Sequence, residues 1–297
     1  MESYVKLEEC VYGFIPSLDQ LNITDEMLDD FSCYGYLIIR NNFSRSEVGK
    51  LDGVQQRVGN NRDLLKLNPD DSDLVQRVCG NAKTVGLAEQ LLGAGEVHLS
   101  SARLITKQTN AIAGHQEQKS GYVQDAVLSM TPREQQQQPQ LITCTTALTC
   151  SDRTNGGLVI IKASHRCGRI EHNQLSGRAD ENQVALVQKV LPTIAIELQP
   201  GDTVFYDGHT LHKTVRNTSF TKRTHLVLTY GKVNANNTCT HLRRQVISIM
   251  TGASRYGTHA IRDCETSQRM HRGDAQNGFE MKWIDMGHNK QSVKLTG

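Results

Sequence analysis

Between residues 96 and 233 the chain runs through short segments rich in β-branched residues. These are EVHLSSARLITKQ (96–108), QLITCTTALTC (140–150), GLVIIKAS (157–164), TIAIELQ (193–199), DTVFYD (202–207) and THLVLTYGKV (224–233). Gly, Pro, Asn and Asp punctuate them. Segments this short, closed by turn formers, predict an antiparallel β domain rather than a parallel α/β sheet. NQVALVQKVL (182–191) supplies one helix among them.

The preceding part, 24–95, reads as mostly helical. TDEMLDDFSCYG offers Thr24 as an N-cap with acidic residues in the first turn. GYLIIRNNF (35–43) is a short apolar run. SRSEVGKLDGVQQRV then places Glu47 three residues after Ser44, a capping box. Leu74, Val75, Val78, Val85, Leu87, Leu91 and Leu92 recur at mostly helical spacing over 72–92. Helices first and strands later predict α+β, or a barrel wrapped by helices. TPREQQQQPQ (131–140) reads as a polar surface loop, and 234–297 as an irregular C-terminal extension of a single domain spanning 1–297.

Composition excludes several classes. A formal net charge of +2 provides no field for nucleic acid or anionic membrane, and 5% aromatic residues leave few stacking platforms. No apolar run is long enough to span a bilayer, and MESYVKLEEC lacks the pattern of a secretory leader. The expectation is a cytoplasmic protein. Its scattered cysteines, with no C-x-x-C pair, are then reduced. Oligomeric state is not legible.

The chemistry-bearing residues stand in two places. In GHQEQ (114–118), His115 and Glu117 are two apart, so an extended chain projects both from one side. One segment then offers a nitrogen and an oxygen to one ion. A histidine from a distant strand would complete a two-His, one-carboxylate face, the arrangement of non-haem Fe(II) oxygenases. FYDGHTLHKTVRN (205–217) carries His209 and His212, three apart, of which an extended strand turns only one inward. If His212 ends a strand, NTSFTK forms the turn and Arg223 starts the returning strand, near the same cavity. A guanidinium there suits the far carboxylate of an acidic co-substrate.

GYLIIRNNFSRSEVGKL, HQE, NGGLVIIKASHRCGRIEH, LQPGDTVFYDGHTLH and RNTSFTKRTHLVLTY together resemble the phytanoyl-CoA dioxygenase family of Fe(II)- and 2-oxoglutarate-dependent oxygenases, over residues 24–233. The NGGLVIIKASHRCGRIEH block is most similar to the branch of ectoine and proline hydroxylase-like enzymes acting on small molecules. The resemblance implies a mainly β fold with flanking helices: a double-stranded β-helix, or cupin-like jelly roll. It places His115, Glu117 and His212 on the iron-binding triad and Arg223 on the 2-oxoglutarate anchor. It implies Fe(II), 2-oxoglutarate and O2, a small-molecule substrate hydroxylated at a C–H bond, and no nucleic-acid or membrane partner. Two departures stand out: Glu117 replaces the usual Asp, and QEQKSGYVQD replaces an aromatic-rich segment. They keep open an alternative, a jelly-roll binding protein of the same family that has lost catalysis.

Overall fold

The computed structural model describes residues 4–14, 23–59, 62–64, 79–94, 97–109, 121–128, 140–232, 279–281 and 293–295. They fall in two compact units, within Met1–Thr258 and His259–Gly297. In the second, Phe279–Met281 pairs antiparallel with Val293–Leu295.

The helices form where local signals call for them. α1 is Asp25–Tyr34; the Thr24 side chain accepts from the Met27 N–H, and Gly35 closes the helix at φ +77°. α2 is Arg45–Val58. At its start the Glu47 side chain accepts from the Ser44 N–H at 2.7 Å, and the Ser44 hydroxyl accepts from the Glu47 N–H at 3.3 Å. The expected capping box is present. α3, Ala82–Leu91, falls within the helical pattern read over 72–92, and Asn81 caps it by accepting from the Lys83 and Thr84 N–H groups. Residues 65–78 lie outside the described part.

Two sheets make the body. The larger runs β1-β2-β3-β9-β6-β11-β5-β4. Its strands are Tyr4–Glu8 (β1), Val11–Phe14 (β2), Tyr36–Arg40 (β3), Arg62–Asp63 (β4), Val97–Lys107 (β5), Leu141–Ala147 (β6), Thr203–Asp207 (β9) and Arg223–Lys232 (β11). The smaller runs β10-β7-β8, from His212–Thr214 (β10), Leu158–Ile161 (β7) and Thr193–Ile196 (β8). Among the described pairs only β2–β3 is parallel. Helix α4, Glu181–Val190, connects β7 to β8. This is the jelly roll expected from the sequence. The hairpin β1–β2 was not anticipated. No disulfide joins the described cysteines.

Strand alternation gives the large sheet two different faces. On β11, Leu226, Leu228 and Tyr230 point toward the helices, and the Tyr230 hydroxyl donates to the Cys79 carbonyl at 2.8 Å. Thr224 shares that face and meets Thr106 of β5, oxygen to oxygen at 3.0 Å. Arg223, His225, Val227 and Thr229 therefore turn toward the small sheet. Thr143 and Thr145 of β6 and Tyr206 of β9 share this inner face: Thr143 lies opposite both Thr229 and Tyr206.

One turn braces β9. Gly201 adopts φ +95°, its N–H donates to the Ala147 carbonyl at 2.8 Å, and its carbonyl accepts from the Phe43 N–H at 2.9 Å. Asp202 follows, accepting from Arg40, from the Asn41 N–H and from the Gln199 N–H at 2.7, 2.9 and 2.8 Å. A side chain at 201 would run into the Phe43 carbonyl in a backbone conformation that disfavours one. Gly201→Ala is expected to cost about 2–4 kcal/mol in a urea melt; a loss below about 0.5 kcal/mol would contradict this account.

Candidate active site

His212 opens β10, where Ile160 of β7 is its register partner. It is 7% exposed. Its Nδ1 lies 2.9 Å from the Thr210 carbonyl, which can only accept, so Nδ1 carries the proton. In the neutral ring the lone pair then sits on Nε2. The Tyr206 ring lies beside it, centroids 4.7 Å apart. The large sheet thus contacts the small one at this histidine.

Nε2 of His212 faces the Asp125 carboxylate, Oδ1 at 3.5 Å. Sequence reasoning did not single out Asp125. It begins a one-turn helix, Asp125–Leu128. From sequence, an acid in that place cannot be told from an ordinary helix-start residue. Its neighbours hold it firmly. The Thr143 hydroxyl donates to Oδ2 at 2.6 Å, and the Tyr206 hydroxyl also bonds to the carboxylate. The preceding Val123 pairs with His212 through both backbone groups, at 2.9 and 3.1 Å. Gln124 is fully buried: its amide N–H groups reach the carbonyls of Gly168 and His209, both at 2.7 Å, and its carbonyl accepts from the Ile170 N–H at 2.8 Å.

Two hydrogen-bond acceptors that face one another in a buried place need a positive charge between them. Burial alone would push the His212 imidazole down, but the Asp125 carboxylate and the Thr210 carbonyl hold its pKa above the ordinary value. Burial alone would push the Asp125 carboxyl up, but His212, Thr143 and Tyr206 hold it below the usual range. The pair is therefore set up for a cation. A proton is one; a metal is the other. The 3.5 Å spacing sets a carboxylate oxygen beside the lone-pair nitrogen, so Asp125 borders the place where Nε2 would bind an ion. The spacing is longer than the 2.7–2.9 Å of a strong charged hydrogen bond. Among the described residues no group of three or more His, Cys, Asp or Glu converges on a metal position. His115 and Glu117 lie outside the described residues.

Arg223 is the first residue of β11, opposite Lys107 of β5, and only 1% exposed. The turn before it forms as expected. Asn217 is fully buried, accepts from the N–H and hydroxyl of Ser219 at 2.9 and 2.8 Å, and donates to the Thr221 carbonyl at 2.8 Å. A guanidinium at an inward position of the large sheet, across from the sheet that carries His212, suits an anion between them. His209 is placed differently. Its Nδ1 lies 3.5 Å from Asp207, and it makes no contact with Asp125 among the described residues. His165 packs beside Gly35 and donates from Nε2 to the Ser32 carbonyl at 3.0 Å, a structural role.

His225 shares the inner face with Arg223 and is 1% exposed. Burial, then the charges of Arg223 and Lys107, push its pKa well below 6.5. The folded chain thus resists a proton that the unfolded chain accepts below about pH 6.5. Stability contributed here is complete above that pH and falls as pH drops, by up to about 1.4 kcal/mol per pH unit. His225→Gln is expected to flatten the acid limb of the stability profile relative to wild type. Parallel profiles would contradict it.

The family model for phytanoyl-CoA dioxygenase (PhyH) matches residues 31–224. The ectoine dioxygenase of Stutzerimonas stutzeri (strain A1501) is 24% identical over 263 residues, covering 77% of this chain and 83% of the relative. EvdO2 from Micromonospora carbonacea var. aurantiaca, solved with 2-oxoglutarate, superposes with a TM-score of 0.57 at 17% identity, over 75% of this chain and 96% of that one. The epimerase SnoN, solved with Fe3+, α-ketoglutarate and nogalamycin RO, superposes with a TM-score of 0.54 at 15% identity, over 70% and 83%. No described helix is long and apolar enough to cross a membrane. With that match and these buried residues, the chain belongs to the phytanoyl-CoA dioxygenase family of Fe(II)- and 2-oxoglutarate-dependent oxygenases.

Proposed function

We propose that this chain hydroxylates a C–H bond of a small polar molecule, with His115, Glu117 and His212 holding Fe(II) and Arg223 pairing with the far carboxylate of 2-oxoglutarate. The observation that carries the reading is His212: a buried imidazole, its proton committed to the Thr210 carbonyl and its Nε2 lone pair turned inward beside a carboxylate. The resemblance to ectoine dioxygenase favours a free amino acid or a derivative of one as substrate.

Iron held there together with 2-oxoglutarate would supply the activation of O2 and the oxidising power, with oxidative decarboxylation of the co-substrate to succinate and CO2 as the balancing half. The chain contributes position and shelter. Thr210 fixes the His212 tautomer and ring plane, as a metal-binding imidazole requires. Thr143 and Tyr206 orient Asp125. Arg223, buried at the strand end, holds the co-substrate by a charged pair with little competition from water.

The test is a screen for O2-dependent succinate formation across amino acids and their derivatives, repeated with Arg223→Ala. Losing one partner of a buried charged pair costs about 2–5 kcal/mol, so the variant is expected to need at least ~30-fold more 2-oxoglutarate. Metal and co-substrate binding without succinate from any substrate would favour the binding-protein alternative. Unchanged 2-oxoglutarate dependence in Arg223→Ala would remove the anchor assignment.

A further inference from the structure

Strand alternation turns Tyr206 of β9 inward, opposite Thr143 and toward His212. The two ring centroids stand 4.7 Å apart, with the planes inclined at 51°. The Tyr206 hydroxyl bonds to the Asp125 carboxylate, whose Oδ1 lies 3.5 Å from Nε2 of His212. The Thr145 hydroxyl oxygen lies 3.5 Å from the same phenol oxygen. The phenol is thus held at both ends. Its ring lies beside the imidazole, and its hydroxyl meets the carboxylate that borders Nε2. At 3% exposure the side chain has no room to swing aside. An ion bound ~2.1 Å from Nε2 has the hydroxyl-bearing edge of this ring beside it.

The other inward residues at this level, Thr143, Thr145 and Thr229, offer only aliphatic C–H bonds. A phenol ring is electron-rich and gives up electrons far more readily. Oxidising power generated at the ion with no substrate in place therefore meets Tyr206 as its most reactive neighbour among the described residues. We propose that Tyr206 is an internal modification site: without substrate, the chain hydroxylates the ring carbon next to the phenol oxygen and makes a catechol. This rests on the oxygenase reading above and extends it to one of the chain's own side chains. The step balances. A ring C–H bond breaks, a C–O bond forms to one atom of O2, and the hydrogen ends on the new hydroxyl. The other oxygen atom enters succinate as 2-oxoglutarate loses CO2. Tyrosine and 2-oxoglutarate each give up two electrons, which together reduce O2 completely. The two adjacent oxygens of the catechol form a pair that chelates iron. A bound substrate takes the oxygen in place of the ring, so protection of Tyr206 reports a molecule that fits the site.

The experiment incubates the full chain with Fe(II), 2-oxoglutarate and isotopically heavy O2, without substrate, and maps the added oxygen by mass spectrometry. Cleavage after Lys189 and Lys213 releases a peptide in which Tyr206 is the only tyrosine. Proximity multiplies effective concentration by orders of magnitude, so Tyr206 is expected to carry at least ~10-fold more heavy oxygen than any other tyrosine. The catechol–iron chelate should add a visible band, and omitting 2-oxoglutarate should abolish both signals. A second measurement needs no turnover. Fluorotyrosine is incorporated throughout the chain, and the resonance of position 206 is assigned with Tyr206→Phe. Mn(II) is expected to broaden that resonance beyond detection, and Zn(II) to leave it sharp. Heavy oxygen on His212, an even spread over the tyrosines, equal oxygen without 2-oxoglutarate, or a resonance that Mn(II) leaves sharp each overturns the inference. If an added substrate yields succinate while the substrate-free chain leaves Tyr206 intact, the inference alone falls. If no substrate yields succinate and Tyr206 also stays intact, the oxygenase reading fails and takes this inference with it.

Discussion

Alanine at position 212 is expected to abolish metal binding and to destabilise the metal-free chain, whereas alanine at 209 is expected to do neither. The difference follows from what each imidazole touches. His212 is buried against Tyr206 and faces Asp125 at 3.5 Å. Removing it strips a partly exposed carboxylate of its counter-charge; a fully buried pair would lose about 3–5 kcal/mol, so a smaller loss of about 1–3 kcal/mol is expected. His209 faces Asp207 with partial exposure of both side chains. Pairs of that kind contribute about 0–1 kcal/mol. Calorimetric titration with Mn(II) and a urea melt of the apo chain measure both effects. Adding Asp125→Asn to His212→Ala should recover part of the lost stability, because the stranded charge is removed. Equal damage from His209→Ala and His212→Ala would mean that the wrong histidine has been assigned to the metal.

Gln124→Leu is expected to be the most damaging substitution outside the ligand set. Leucine has a similar volume but strands the Gly168 and His209 carbonyls and the Ile170 N–H, all three held by the native amide. Each unsatisfied buried group costs about 1–3 kcal/mol. Allowing for relaxation, a loss of about 4 kcal/mol is expected in chemical denaturation. The effect should also reach the site, since Gln124 precedes Asp125 and its own N–H donates to Nε2 of His172 at 3.1 Å. A drop in metal affinity of about tenfold or more is expected, typical when a residue supporting a ligand is lost. Gln124→Glu should fare no better, because a carboxylate brings no N–H to the two carbonyls. A loss below about 1 kcal/mol in Gln124→Leu would show that the segment is held by something else.

These two residues mark the boundary of what could be read from the chain. Thr24, the Ser44–Glu47 box and the Asn217 turn were legible because each is a bond between residues a few positions apart. The return from β10 through that turn to Arg223 was legible for the same reason. Gln124 was not: its partners lie 44, 46 and 85 residues away, and nothing nearby distinguishes it from a solvent-facing glutamine. Asp125 was hidden likewise, because its meaning comes from Thr143, Tyr206 and His212, carried by three different strands. The β1–β2 hairpin escaped notice because neither of its short strands carries a distinct alternating pattern. His225 was unremarkable among the apolar residues of its strand until the register placed only Ile105 and Ala147 beside it.

The middle position of β11 also bears on synthesis. Its hydrogen bonds run to β5 on one side and β6 on the other, both made much earlier in the chain. Until residue 232 has emerged from the ribosome, those two strands have no neighbour between them and keep open rows of amide and carbonyl groups. Nascent chains stalled before that point therefore present sticky borders to one another. Messages cut short within this region should yield aggregates that chaperones retain, rather than a smaller working protein.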